Sequence, residues 1–175
     1  MNRVNGASQN AADGSSGWDQ WLAQFAPRLL LFARQQSRCE ADAQDLLQDA
    51  VVEAWRQQVD DAPPTLGLVF SLIRHRAIDL ARRNERRATR EMAAQEAALE
   101  SWFDPEMESR EQAKLLQSAL GRLSENQREV VTLKIWGELT FAEIAVVLDI
   151  PANTAASRFR YALEELRGST KEMFV

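Results

Sequence analysis

Apolar residues recur every three or four positions along most of the chain, the period of a helix face, and strand-like alternation is nowhere sustained. From Trp18 to about Gln36 the positions Trp21, Leu22, Phe25, Leu29 and Phe32 share one side. Pro27 lies within this block and is a point where it can kink or divide. A second helix is expected from about Ala41 to Gln57. Its apolar side carries Leu47, Val51, Ala54 and Trp55, and its polar side carries Asp42, Asp45, Asp49, Glu53 and Arg56. The run Val59-Asp-Asp-Ala-Pro-Pro-Thr65 breaks the pattern. A third helix then starts near Leu66 with Val69, Leu72, Ile73, Ala77 and Leu80 inward. Beyond Ala81 the pattern is basic on all sides, so that end is expected to project from the core.

The second half repeats the period with sharper boundaries. Asp104-Pro105 reads as a helix start, and Leu115, Leu116, Ala119, Leu120 and Leu123 follow at helical spacing. Ser124-Glu-Asn-Gln127 and Thr140-Phe-Ala-Glu143 fit capping boxes, in which two side chains satisfy unpaired backbone donors. The first opens a short helix with Val130, Val131, Leu133 and Ile135. The second opens one with Ile144, Ala145 and Leu148 inward. After a turn at Asp149-Ile-Pro151, the last helix shows a stripe of Ala155, Phe159, Ala162, Leu163 and Leu166. The expected architecture is all-α, in two small helical domains at 18–90 and 109–168. A linker at 91–108 joins them, and tails flank them at 1–17 and 169–175.

Composition supports this architecture. The 175 residues are 45% hydrophobic and 27% charged, with few Gly and Pro, so helix formers dominate. The single cysteine, Cys39, has no partner for an internal disulfide, and with His75 the only histidine no Cys/His zinc site is expected. The first seventeen residues are polar and small, read as a disordered tail without the apolar centre of a secretion signal, and no apolar run is long enough to span a bilayer. These features together favour a cytoplasmic protein. No phosphate-cradling Gly loop, metal-ligand cluster or nucleophile–base pair stands out, so neither catalysis nor a cofactor is expected.

Charge changes the picture. The net charge is −5, yet Arg74, Arg76, Arg82, Arg83, Arg86, Arg87 and Arg90 crowd one stretch, diluted only by Asp79 and Glu85. Two kinds of partner, one for each sign of charge, fit this pattern. The five tryptophans are scattered along the helices and not interleaved with the arginines, as core or interface anchors would be.

Two short helices joined by a tight turn at the C-terminal end fit a helix-turn-helix, whose second helix enters the major groove. Opposite the Ala155/Phe159/Leu163 stripe lie Asn153, Ala156, Ser157 and Arg160; Asn and Arg can bond base edges in pairs and Ser singly. Arg158 and Tyr161 flank that face and can hold phosphate. On periodicity alone, an ordinary helical hairpin with a solvated outer face fits as well.

The segments Leu139-Thr-Phe-Ala-Glu-Ile-Ala145, Leu148, Ile150, Pro151 and Asn153-Thr-Ala-Ala-Ser-Arg158 resemble region four of extracytoplasmic-function sigma factors of bacterial RNA polymerase, as does Leu123-Ser-Glu-Asn-Gln-Arg-Glu-Val130 before them. Asp42-Ala-Gln-Asp-Leu-Leu-Gln-Asp-Ala50 with Trp55 resembles that family's region two, and Leu72-Ile-Arg-His-Arg-Ala-Ile-Asp-Leu-Ala-Arg-Arg83 its segment for the minus-ten element. Asp149 stands at the family's usual turn Gly, and Ala156 at its usual Lys or Arg. Asp tolerates the left-handed backbone that such a turn needs.

The resemblance implies a sigma factor that binds core polymerase and directs initiation at chosen promoters, with an anti-sigma factor as a further candidate partner. Asp45, Gln48 and Asp49 would contact the polymerase's clamp helices. Arg74, Arg76, Arg82, Arg83, Arg86 and Arg87 would lie along the minus-ten DNA, beside a base-capturing loop at about Val59 to Leu66. Arg128, Asn153, Thr154, Ser157, Arg158 and Arg160 would face the minus-thirty-five element. Two other readings remain open: a helix-turn-helix regulator that binds DNA alone as a dimer, and a protein that holds the polymerase without reading DNA.

Overall fold

The computed structural model describes residues 10–57, 62–88, 101–103 and 110–173; side chains are described for 17–57, 62–85, 101–103 and 111–168. Among the described residues there are seven helices and no strand. These are α1 (Asn10–Gln35), α2 (Glu40–Arg56), α3 (Leu66–Ala88), α4 (Arg110–Arg122), α5 (Glu125–Ile135), α6 (Phe141–Leu148) and α7 (Ala152–Met173). The all-α expectation holds. The Asp104-Pro105 helix start and most of the 91–108 linker lie outside the described residues.

Helix α1 starts at Asn10, eight residues before the expected Trp18, and continues through Pro27 without dividing. Extending an existing helix costs far less than nucleating one. The Pro27 penalty is offset by the burial of Leu29, Phe32 and Ala33 in the next turns. Helix α2 begins at a cap the pattern did not disclose: the Cys39 Sγ accepts from the Asp42 amide at 3.4 Å. Arg34 grips Glu40 through two bonds of 2.8 and 2.9 Å, which tie α1 to the start of α2. That guanidinium holds the Glu40 carboxyl below its ordinary value of 4.5.

Both capping boxes form. The Ser124 Oγ accepts from the Gln127 amide, while the Gln127 side chain returns a bond to the Ser124 amide; Thr140 and Glu143 do the same at the head of α6. The inward stripes are buried or half-buried, with three exceptions. Trp55, Leu115 and Ile135 remain about half exposed, Trp55 lying against Trp18 at a ring separation of 5.0 Å.

Helices α1–α3 form one half and α4–α7 the other, but their cores are not separate. One buried cluster joins Leu29, Phe32, Phe70 and Ile73 to Val130, Leu133, Ile144, Val147, Leu148 and Ala155. Phe32 and Phe70 meet edge to face at 5.3 Å, and α3 lies against α6. A second cluster joins Leu31 of α1 to Phe103, Leu120, Leu123, Val131 and Ala162. At Gly137 a Cβ atom would sit 2.5 Å from the Leu133 carbonyl oxygen and 3.1 Å from the Phe70 ring, so the two halves meet there at a point where only glycine fits.

Candidate nucleic-acid interface

Helix α2 buries Ala43, Leu46, Ala50 and Ala54, and this leaves Asp45, Gln48 and Asp49 exposed together. Their spacing of three and four places them on one stripe. The sequence-predicted partner face is therefore a coherent surface. One member is engaged: Arg76 of α3 donates to Asp49 at 2.9 Å and approaches Glu53 at 3.7 Å. Asp42, Asp45, Asp49, Asp79, Arg76 and Arg83 line a groove of about 210 Å³ between α2 and α3.

The arginines of α3 diverge because successive positions point in different directions around a helix. Arg74 turns to the other half, where its Nε lies 3.3 Å from Oε1 of Glu129 on α5. Arg76 turns to α2. Arg82 and Arg83 are exposed; Arg82 stands 3.8 Å from Asp79, a separation worth little in water. Arg86 and Arg87 belong to α3, but their side chains lie outside the described residues, as does all of Arg90. The loop expected at about Val59 to Leu66 is described only from Ala62.

At the other end, Asp149 adopts the left-handed conformation (φ 54°, ψ 52°) and ends α6, its amide donating to the carbonyls of Ala145 and Val146. The Ile150 amide bonds the Ala145 carbonyl at 3.0 Å, and Pro151 accepts from the amides of Thr154 and Ala155 in the first turn of α7. The turn therefore forms with Asp in place of Gly, and α6–α7 make a helix-turn-helix. Thr140 donates through both its hydroxyl and its amide to Glu143, which holds that carboxyl below its ordinary value.

On α7, Ala155 and Ala162 are buried, and Asn153, Arg160 and Tyr161 face solvent. Thr154, Ala156, Ser157 and Arg158 are half-buried. The Ser157 hydroxyl donates to the Asn153 carbonyl at 2.8 Å, so towards DNA it offers acceptor lone pairs only. The Arg160 guanidinium lies 5.0 Å from the Tyr161 ring, which stiffens it without covering it. Arg128 sits apart from this face, over the Trp102 ring at 5.1 Å.

Sequence reasoning missed Glu129. It is 5% exposed and bonded by both Arg74 and the Gln36 amide nitrogen, the latter at 3.0 Å. Burial pushes its carboxyl above 4.5, an effect that the Arg74 charge only partly offsets. A signal was present: Glu129 stands next to Val130 and one turn before Leu133, on the inward side of α5.

Among the described residues, no group of three or more His, Cys, Asp or Glu could hold a metal ion, and no helix is long and apolar enough to cross a membrane.

An acidic stripe beside a basic helix in one half, and a helix-turn-helix in the other, give the chain the make-up of an all-helical DNA-binding protein. The sigma-70 region 2 model matches residues 21–87, and the sigma-70 region 4 model matches residues 113–166. Among curated proteins, the chain is 27% identical over 146 residues to the ECF RNA polymerase sigma factor RpoE of Cereibacter sphaeroides, covering 82% of this chain and 80% of that one. It is 28% identical over 138 residues to the ECF RNA polymerase sigma factor SigL of Mycobacterium tuberculosis, covering 77% and 78%. Among solved structures, it superposes on the sigma factor RpoE in its co-crystal with the anti-sigma factor NepR from Bartonella quintana with a TM-score of 0.71, 22% identity and coverage of 87% and 96%. It superposes on CnrH in complex with the cytosolic domain of CnrY with a TM-score of 0.59, 25% identity and coverage of 93% and 95%. The chain belongs to the extracytoplasmic-function sigma factors, the sigma-70 proteins built of regions 2 and 4 that direct promoter-specific transcription by RNA polymerase.

Proposed function

We propose that the two halves divide this work among the following residues. Asp45, Gln48 and Asp49 dock on a basic surface of core polymerase. Arg82 and Arg83, with Arg86 and Arg87 beyond them, follow the phosphates of the minus-ten segment. Asn153 and Arg160 read base edges in the minus-thirty-five element, and Thr154, Ser157 and Arg158 support them at the backbone. Arg74 and Arg76 join the minus-ten contacts once their carboxylate partners are released. Arg128 acts at the edge of the upstream contact. The observation that carries the reading is the exposure of Asp45, Gln48 and Asp49 on one stripe of α2, away from its buried face.

The chain supplies no catalytic group in this scheme and needs no cofactor, because the polymerase performs the chemistry. Its place of action is the cytoplasm, where polymerase and promoter are found. One structural neighbour is a sigma factor in complex with the anti-sigma factor NepR, and this supports an anti-sigma factor as a further partner.

Promoter-directed transcription with purified core polymerase, with and without the protein, tests the scheme. New specific transcripts are expected only with it. Reversing Asp45 and Asp49 to Lys should abolish retention by core while leaving circular dichroism unchanged, since exposed charges contribute at most about 1 kcal/mol to folding. Equal retention of the folded double variant refutes the docking role. Selective binding of one promoter duplex by the free protein as tightly as by holoenzyme supports an autonomous DNA-binding regulator instead.

A further inference from the structure

A cavity of about 430 Å³ lies along α1, and none of the residues that line it is assigned above to polymerase or DNA. Leu31, Trp102, Phe103 and Trp136 give it largely apolar, aromatic walls, with the Phe103 and Trp136 rings 5.9 Å apart and inclined at 50°. Among the described residues, the charged groups that line it are two guanidinium groups, those of Arg28 and Arg34, and no carboxylate. A concave, apolar space with a few convergent polar groups is the usual make-up of a small-molecule site, and such sites run from roughly 300 to 1,000 Å³.

The two arginines differ in how far they are satisfied. Arg34 is held on both sides, by the Glu40 carboxylate and by the Trp102 carbonyl at 3.1 Å. Arg28 makes one ion pair, through Nη2 to Glu138 at 3.0 Å, and that carboxylate is 68% exposed, so it neutralises the guanidinium weakly. The Arg28 Nη1 is buried and has no hydrogen-bond partner among the described residues. A buried donor left unpaired is costly, most of all on a charged group. Water alone answers that need poorly. At roughly 30 Å³ of liquid volume per molecule the space takes on the order of a dozen waters, of which few could reach a polar wall. Replacing weakly held water on apolar walls by an apolar group is favourable. The complementary occupant therefore has an apolar body and one anionic acceptor.

We propose that this cavity is a binding site for an amphipathic monocarboxylate, whose carboxylate accepts from Arg28 and whose apolar body lies against Leu31, Phe103 and Trp136. The bond from Nη1 is charge-assisted and satisfies the one donor the fold leaves unpaired there. Arg34 adds positive potential and fixes the wall through its bond to the Trp102 carbonyl. The site goes beyond the division of work proposed above and does not depend on it, because the two sets of residues do not overlap.

Titration calorimetry on the full-length protein at neutral pH tests the inference with two probes, each paired with its neutral alcohol: 2-naphthoate with 2-naphthalenemethanol, and octanoate with octanol. At least one carboxylate should bind at one equivalent, and at least roughly tenfold more tightly than its alcohol. Tighter binding of 2-naphthoate assigns the site to flat aromatic acids, and tighter binding of octanoate to aliphatic ones; both support the proposal. Arg28→Gln should reduce the affinity for the carboxylate to that of its alcohol and leave the alcohol unaffected. Ala26→Phe, which fills the cavity from α1, should abolish binding of both. Circular dichroism checks that each variant is folded. If Ala26→Phe does not fold, Arg28→Gln decides, since it changes a side chain that is 31% exposed. Failure of both carboxylates to bind the folded wild type at millimolar concentration overturns the proposal. So does equal affinity for acid and alcohol, an unchanged affinity for the carboxylate in folded Arg28→Gln, or retained binding in folded Ala26→Phe.

Discussion

Arg74 and Arg76 are two residues apart on α3, and both are paired with carboxylates, yet they occupy different physical regimes. Arg76 meets Asp49 and Glu53 within its own half, in a solvated groove where Asp49 is 64% exposed. Arg74 meets a Glu129 side chain that is 7% exposed, at the seam between the halves. Screening makes the first pair weak. Burial makes the second costly to break, because a lone carboxylate would be left in apolar surroundings. The same residue type on one helix therefore sits in a solvated groove in one case and in a buried seam in the other.

The seam should dominate stability. Phe70→Ala removes a fully buried ring that meets Phe32 and Gly137, and about 3–5 kcal/mol should be lost in denaturant unfolding. A loss below about 1 kcal/mol would mean that the two halves share no core.

Breaking the buried pair comes next. Arg74→Met leaves Glu129 with Gln36 as its remaining cross-seam partner, and about 3 kcal/mol should be lost at neutral pH. That loss should shrink on acidification as the carboxylate takes up a proton. A loss independent of pH would place the cost elsewhere than on the uncompensated charge.

Glu129 itself gives the pH test its sign. Its carboxyl is raised in the folded state, so its contribution to stability is fully present below the ordinary value of 4.5 and is lost as pH rises through the raised value. Glu40 and Glu143 are lowered, and their contributions run the other way, present above the ordinary value and lost in acid. Unfolding of the wild type and Glu129→Gln across pH 4 to 8 isolates the difference. Relative to wild type, the variant should gain stability as pH rises; a parallel pair of curves would contradict the assignment.

The smallest effect is expected in the groove. Asp49→Asn should change stability by less than about 1 kcal/mol, since the pair it disrupts is exposed. It should still weaken retention by core polymerase. A folding loss as large as that of Arg74→Met would erase the distinction between the two arginines.

Local features followed from local chemistry. Both capping boxes, the left-handed Asp149 turn and the helical stripes depend on residues within a few positions of one another, so short-range rules were sufficient to find them. The exposed polar stripe of α2 was equally plain, because a spacing of three and four determines a helix face wherever the helix lies. The α3 arginines were a harder case: the charge cluster was visible, but which members remain exposed depends on what packs against each face.

The sequence by itself determined the helices, their boundaries to within a turn in most cases, the helix-turn-helix, and the presence of an acidic helix face and a separate basic stretch. Only the tertiary structure decided that the halves share one core, that Arg74 belongs to Glu129, that Gly137 is the point of closest approach, and that Ser157 donates its proton to its own helix. Helix periodicity is a property of neighbours in sequence. The seam joins residues such as Gln36 and Glu129 that are far apart along the chain, and whether they meet depends on long-range burial that no local pattern encodes.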